Sequence, residues 1–215
     1  SGMGIDNIYI DLNDQETPIL DGSARFYFDA LAEAGKVEQN AERYIFSLKE
    51  KIHYIDIDKG IEITAYPDER LSINVLIDYD SNILVNQYAL MSDIKDFREE
   101  IACCRTFVFL HELEMLLKNN LIKGGDLSNA IVIIDREVTQ DELDRLATLF
   151  NKPKVQVKPQ GVLNNIDLYF NNEPARHKLL DFYGDLALIG CPINAKIIAK
   201  KPGHFSNTEF AKIIK

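Results

Sequence analysis

The odd-numbered positions of Leu71-Ser72-Ile73-Asn74-Val75-Leu76-Ile77 are all apolar, which predicts a strand with one buried face. Lys51 to Ile57 and Ile61 to Tyr66 flank the tight turn Asp58-Lys59-Gly60, so the three segments read as an antiparallel meander. Upstream, Ile8 to Leu12 alternate as a further strand and Pro18 to Gly22 form a turn. Phe26, Ala30 and Leu31 then give a short helical stripe ending at Gly35. The polar stretch from Lys36 to Arg43 lacks the periodic apolar residues that either neighbour would bury, and it reads as a linker with a boundary near Asn40.

Helical spacing takes over at Ile94, Phe97 and Ile101, behind Ser92 or Asp93 as a cap. Leu110, Leu113 and Leu117 predict a second helix stopped by Asn119-Asn120, after which the loop Lys123-Gly124-Gly125-Asp126 leads to a strand from Ala130 to Ile134. Thr139-Gln140-Asp141-Glu142 is a capping box opening a helix with Leu143, Leu146, Ala147 and Phe150 on one side. Strands follow at Val155 to Val157 and Ile166 to Phe170. The next helix, Ala175 to Ile189, has Pro174 in its first turn, stops at Gly190 and has Pro192 just beyond. A strand from Ala195 to Ala199 leads through Lys200-Lys201-Pro202-Gly203-His204 to a terminal helix capped near Ser206 or Asn207. Sheets with helices laid on one face predict an α+β fold, a two-layer sheet/helix sandwich. Residues 1–39 read as the last α/β unit of a truncated first domain, and residues 40–215 as a complete second domain.

Composition narrows the function classes. With 24 basic against 34 acidic side chains the formal charge is −10, which argues against a broad nucleic-acid or anionic-membrane surface. No apolar run approaches the ~20 residues needed to span a bilayer, and no leader pattern is present, so a cytoplasmic protein is expected. Cys103, Cys104 and Cys191 make neither a disulfide framework nor a paired-cysteine zinc motif, so a metal would need other ligands. Ser1-Gly2 reads as an expression scar, with natural sequence expected upstream.

His177, Asp181 and Asp185 fall at i, i+4 and i+8 and share one helix face. An imidazole and a carboxylate one turn apart can hold zinc, a third protein ligand would leave the fourth position for water, and the remaining carboxylate could orient a neighbour. The same spacing also fits a solvated face on which a histidine stands among acids. His204, in a Gly-His loop, could be presented to a cleft as an acid or could be a surface histidine without a task. His53 and His111 occupy ordinary positions, and Lys123-Gly124-Gly125 matches no phosphate-binding fingerprint.

Several separated segments, in this order and spacing over nearly the whole chain, together resemble one family. They are Gly4-Ile5-Asp6-Asn7, Pro18-Ile19-Leu20-Asp21-Gly22-Ser23, Arg105-Thr106-Phe107, Lys123-Gly124-Gly125 with Asn129-Ala130-Ile131-Val132, Arg176-His177-Lys178 through Gly184-Asp185-Leu186, and Lys201 with Gly203-His204. The family is the UDP-3-O-acyl-N-acetylglucosamine deacetylases, zinc-dependent amidohydrolases of bacterial lipid A biosynthesis. The resemblance implies that His177 and Asp181 are two of three zinc ligands and that Asp185 supports the active-site histidine. It implies further that His204 is the charged acid and that Thr106 donates to the oxyanion. Lys178 and Lys201 would face the nucleotide diphosphate or sugar of the UDP-3-O-acyl-glucosamine substrate, and Phe107 would border the sugar and acyl chain.

The family's remaining zinc ligand, a histidine preceded by a glutamate base, belongs to a helix before Gly4-Ile5-Asp6-Asn7. The 215 residues alone are therefore expected to bind zinc weakly or through a borrowed ligand and to lack normal turnover. The segment Thr139 to Gln160 is longer than the loop usual in relatives and is expected to lengthen or lid the acyl passage. Two other readings remain open: a non-catalytic binding or assembly module of the same fold, and part of a deacetylase fused to a hydroxyacyl-carrier-protein dehydratase. A sheet edge exposed by truncation could drive dimerisation.

Overall fold

The structure, a computed structural model, describes residues 1–118, 129–149, 151–152 and 154–215. The side chain of Leu117, the Asn119-Asn120 stop, the Lys123–Asp126 loop and Phe150 lie outside the described residues.

The chain opens in an extended segment rather than in the expected strand. Ile8, Tyr9, Ile10 and Leu12 are exposed, and no neighbour among the described residues completes a ladder with them. The first helix, α1 (Arg25–Ala34), ends at Gly35, whose φ of 81° suits a residue without Cβ. None of its residues is buried. The chain enters the sheet at β1 (Phe46–Ser47) and runs through the hairpin β2 (Ile52–Asp56) and β3 (Ile61–Pro67) to β4 (Ser72–Ile77) and β5 (Gln87–Met91). The alternation in β4 is realised in full, with Ile73, Val75 and Ile77 inside.

Residues 94–101 form not one α-helix but a 3-10 turn, Ile94–Asp96, followed by a π turn, Phe97–Ile101, with Asp93 capping the first through Lys95 N. The π bond runs from Ala102 N to Phe97 O, while the buried Phe97 and Ile101 stand four apart, a spacing that apolar periodicity alone does not separate from an α-helix. A short parallel pair, β6 (Phe107–Phe109) and β7 (Ile131–Ile133), carries α2 (Leu110–Lys118) and α3 (Gln140–Leu149). The capping box at α3 is present: Thr139 N donates to Glu142 at 2.8 Å and Glu142 N donates to Thr139 Oγ1 at 3.3 Å. The strand expected at Val155–Val157 is reduced to a single bridge, Val157 to Leu163, and none forms at Ile166–Phe170; a second bridge joins Ile133 to Val162. The backbone of 166–170 instead turns to feed α4 (Glu173–Leu186), which ends in a 3-10 turn, Ala187–Ile189, closed by Gly190 at φ 89°.

The last strand, β8 (Ile193–Lys200), corrects the expected meander. It lies between β3, antiparallel, and β4, parallel, so the sheet order is β2-β3-β8-β4-β5, with β1 also pairing β8. The reason is visible in its composition: Ile193, Ala195, Ile197 and Ala199 are buried and suit a central position, whereas β3 and β4 would leave this apolar row exposed if they paired directly. α4 and α5 (His204–Ile214) cover the sheet through Ala175, Leu179, Phe182, Leu186, Phe210, Ala211 and Ile214. Phe182 and Phe210 meet with ring centroids 6.3 Å apart, and each buried ring contributes about 1.5–3 kcal/mol. α5 starts at His204, before the expected cap. Ser206 Oγ accepts from Gly203 N at 3.1 Å, so Ser206 reaches back to the first turn rather than standing ahead of it. The architecture is α+β, a six-stranded sheet with α4 and α5 on one face beside the two-stranded pair β6–β7.

Candidate functional site

α4 is amphipathic in an unusual sense: one face is core, and the adjoining stripe is ionisable. Pro174 sits in the first turn, where its missing N–H breaks no helical bond. Ala175, Leu179, Phe182 and Leu186 then fix the rotation of the helix against the sheet. That rotation sends His177, Lys178, Asp181 and Asp185 toward β6 and the start of α5.

His177 is buried, and its Nδ1 lies 3.0 Å from the Cys104 carbonyl oxygen. A carbonyl only accepts, so Nδ1 carries the proton and neutral His177 presents a lone pair at Nε2. That Nε2 faces Asp181 Oδ1 at 3.5 Å. Burial is the largest influence on the imidazole and lowers its pKa, although Asp181 opposes the shift. Lys178 Nζ donates to the other oxygen, Oδ2, at 2.9 Å. Burial pulls the Lys178 ammonium down, but the Asp181 carboxylate outweighs it and leaves the pKa above the ordinary lysine value.

His204 stands on the far side of the same carboxylate, Nε2 3.9 Å from Asp181 Oδ2. Its Nδ1 donates to Asp185 Oδ2 at 2.9 Å, and Asn207 Nδ2 donates to the same oxygen at 2.9 Å. Asp185 is thus held from α5 by two donors, while the His204 side chain keeps 69% of its surface open. The helix that bears His204 begins with it, so the side chain is anchored at a helix start rather than carried by a loop.

Thr106 is placed by backbone. Its N–H donates to Gly22 O at 2.8 Å, and its carbonyl accepts from Ile131 N at 2.8 Å. A Cβ at Gly22 would meet Asn129 O at 2.0 Å and Thr106 Cγ2 at 3.0 Å, and φ there is +78°, so only glycine allows the turn to lie this close to Thr106. Thr106, Leu180 and residues between Leu12 and Tyr27 line an open groove of about 1150 Å³. Lys178 Nζ lies over the Phe107 ring, 5.6 Å from its centroid. Lys201, at φ +53°, pairs with Asp78 at 3.7 Å rather than with the carboxylates of this cluster. Lys123-Gly124-Gly125 lies outside the described residues.

Three further residues belong here that the sequence reading passed over. Tyr79 packs edge-on against Phe107 and Phe109, with centroids 5.7 and 5.4 Å away. Burial raises its phenol pKa, partly countered by Lys178. Asn207 appears only when α5 is folded against α4. Glu173 is fully buried against Arg105, and its position one turn before His177 extends the i, i+4 series to four members, a signal open to inspection in the sequence. His53 pairs with Glu62 on the sheet, and His111 stacks on Phe109 near Asp135.

The residues present fit a cation at one point. A neutral imidazole and a carboxylate oxygen face each other with the only ring proton committed elsewhere, so a metal ion between them would satisfy both. Among the described residues no three His, Cys, Asp or Glu side chains form a metal-holding group. No described helix is long and apolar enough to cross a membrane.

The chain is similar to known proteins over its whole length. A family model described as UDP-3-O-acyl N-acetylglycosamine deacetylase matches residues 1–152 and 149–215. The Bifunctional enzyme LpxC/FabZ of Bacteroides thetaiotaomicron is 48% identical over 210 residues, covering 98% of this chain and 46% of the relative. Its counterpart in Porphyromonas gingivalis is 44% identical over 213 residues, covering 99% and 46%. The UDP-3-O-acyl-N-acetylglucosamine deacetylase of Chlamydia pneumoniae is 35% identical over 212 residues, covering 98% and 66%. The chain thus spans about half the length of the bifunctional relatives and just under two thirds of the other. With the family match extending over the whole chain, the protein belongs to the UDP-3-O-acyl N-acetylglycosamine deacetylases.

Proposed function

We propose that these residues form one side of a zinc-dependent deacetylase site that hydrolyses the N-acetyl group of UDP-3-O-acyl-N-acetylglucosamine, in the cytoplasm, for lipid A biosynthesis. The observation that carries the reading is the pairing of His177 Nε2, unprotonated, with Asp181 Oδ1 at 3.5 Å, and of His204 with Asp185 next to it. His177 and Asp181 would hold zinc, with a third protein ligand of the kind the family resemblance implies. The ion when bound supplies a nucleophilic hydroxide near neutral pH.

The chain's own groups take the remaining tasks. Protonated His204, fixed at Nδ1 by Asp185, turns Nε2–H toward the site, where it steadies the tetrahedral oxygen and gives its proton to the leaving amine. Thr106, locked from both sides of its backbone, donates to the same oxygen. Lys178 and Lys201 attract the diphosphate or sugar. Phe107, with Phe109, Ile131, Ile133 and Val162 behind it, lines an apolar wall for the acyl chain. α3 packs over the neighbouring apolar cluster through Leu143, Leu146 and Ala147, where it would lengthen that wall.

The test is metal content and deacetylation by the full-length gene product and its His177→Ala variant. Loss of stoichiometric zinc together with a fall in kcat of at least about a thousandfold is expected, within the range a catalytic metal supplies. Retained zinc and rate would defeat the assignment. The higher identity to the LpxC/FabZ enzymes than to the Chlamydia deacetylase favours a parent protein with a second enzymatic unit.

A further inference from the structure

The Arg105–Glu173 pair is the most enclosed ionic contact in the described structure, with side chains 7% and 0% exposed. Arg105 Nε donates to Glu173 Oε1 at 2.9 Å and Nη2 to Oε2 at 3.1 Å, while Tyr169 N donates to Oε2 at 2.7 Å. A counterion role would explain the two guanidinium contacts. It does not explain the two backbone amides, Tyr169 N and a second one: Arg105 N also donates to Oε1, at 3.0 Å.

That amide and the carbonyl that accepts from His177 are the two ends of one peptide unit. The C=O of Cys104 receives Nδ1–H of His177 at 3.0 Å, and the N–H of the same peptide bond is given to Glu173. The path is therefore carboxylate, peptide, imidazole, closed on itself by one turn of α4, because Glu173 and His177 are i and i+4. A peptide N–H bonded to a carboxylate is polarised so that its C=O becomes a stronger acceptor, since hydrogen bonds in a chain reinforce one another in a dry interior. Metal-bound histidines commonly lean on a carboxylate through their distal ring N–H. Here a peptide bond stands between the two.

We propose that Glu173 is a positioning residue of the metal site, acting through the Cys104–Arg105 peptide to hold His177 with its proton on Nδ1 and its Nε2 free for the ion. The inference rests on the metal reading above for its purpose, but not for its geometry. It also gives the Arg105-Thr106-Phe107 segment a second task, because the peptide that orients His177 directly precedes the one that places Thr106 against Gly22.

The experiment follows the His177 ring by ¹⁵N NMR in the metal-free chain and titrates the same samples with Co²⁺. Wild type should show His177 as the Nδ1–H tautomer. Glu173→Gln should shift it toward a mixture and weaken Co²⁺ about ten- to a hundredfold, as loss of a carboxylate behind a ligating histidine does. Glu173→Gln leaves the buried Arg105 charge without its carboxylate, so Arg105→Gln/Glu173→Gln supplies a variant neutral at both positions. If Glu173 only balances Arg105, that double variant regains the wild-type tautomer and Co²⁺ affinity; under the proposal it recovers stability but neither of these. Wild-type Nε2–H, or an unaltered tautomer in the double variant, overturns the proposal. A wild type that shows the expected tautomers yet binds no Co²⁺ would sink the metal reading and leave the peptide relay standing.

Discussion

The two ends of the ionisable stripe on α4 hold similar charges in different surroundings. At the N-terminal end Glu173 is enclosed, and its oxygens accept from Arg105 and Tyr169. At the other end Asp185 is 16% exposed and its imidazole partner 69% exposed. His177 and Asp181 lie between, at 10% and 14%. A dry charged pair loses much when one partner is removed, but it cannot readily exchange protons with solvent. A wet pair contributes little to stability, yet its imidazole stays open to solvent and to a ligand. One helix thus joins a part that fixes geometry to a part able to do acid chemistry, with the candidate metal pair at the boundary.

Removing the guanidinium breaks the dry end. Arg105→Met leaves the Glu173 carboxylate with only its two backbone donors, and a loss of about 3–5 kcal/mol in urea unfolding is expected, the range for one partner of a buried ion pair. A change below about 1 kcal/mol would show that the two ends are energetically alike and would erase the contrast. Asp185→Asn makes the corresponding cut at the wet end. The amide oxygen can still accept from His204 or Asn207, so stability should change by about 1 kcal/mol or less. Activity of the full-length protein should fall much more than stability does, because His204 loses its charged anchor while His177 and Asp181 are untouched. A fall in metal affinity equal to the fall in kcat would show that Asp185 acts on the ion and not on His204.

How much of this could be read beforehand depends on range. Alternation in β4 and the capping box at α3 are local, and both are realised residue by residue. The insertion of β8 between β3 and β4 is not local: nothing in Leu71 to Ile77 says that its neighbour will come from residues 193–200. The expected strand at Ile8 to Leu12 carries a valid alternating pattern, but a strand also needs a partner, and none is supplied among the described residues. The α4 stripe shows the same division. His177, Asp181 and Asp185 follow from helical spacing, whereas the Cys104 carbonyl, Arg105 and Asn207 reach that stripe only through tertiary packing. Glu173 was within reach of spacing alone; its proximity to Pro174 reads first as a helix start and conceals that it continues the series.

The smallest expected effect tests whether dryness extends around the helix to two half-buried phenols, Tyr79 beside it and Tyr183 on it. Burial raises the pKa of both Tyr79, beside Lys178 and Phe107, and Tyr183, on the face of α4 toward Phe97. Nearby cations, Lys178 for one and Arg43 for the other, only partly offset the shift. With the folded value above the unfolded value of ~10, the native state keeps its phenolic protons longer than the unfolded chain does. The associated stability is complete below pH ~10 and is lost as pH rises through the folded values. Spectrophotometric titration should therefore show two of the nine tyrosines ionising late or only with unfolding, and Tyr79→Phe or Tyr183→Phe should each remove one such step and flatten the alkaline fall in stability. If Tyr79 ionises with the exposed tyrosines while Tyr183 stays late, water reaches the β6 side of α4, and the division between dry and wet runs around the helix as well as along it.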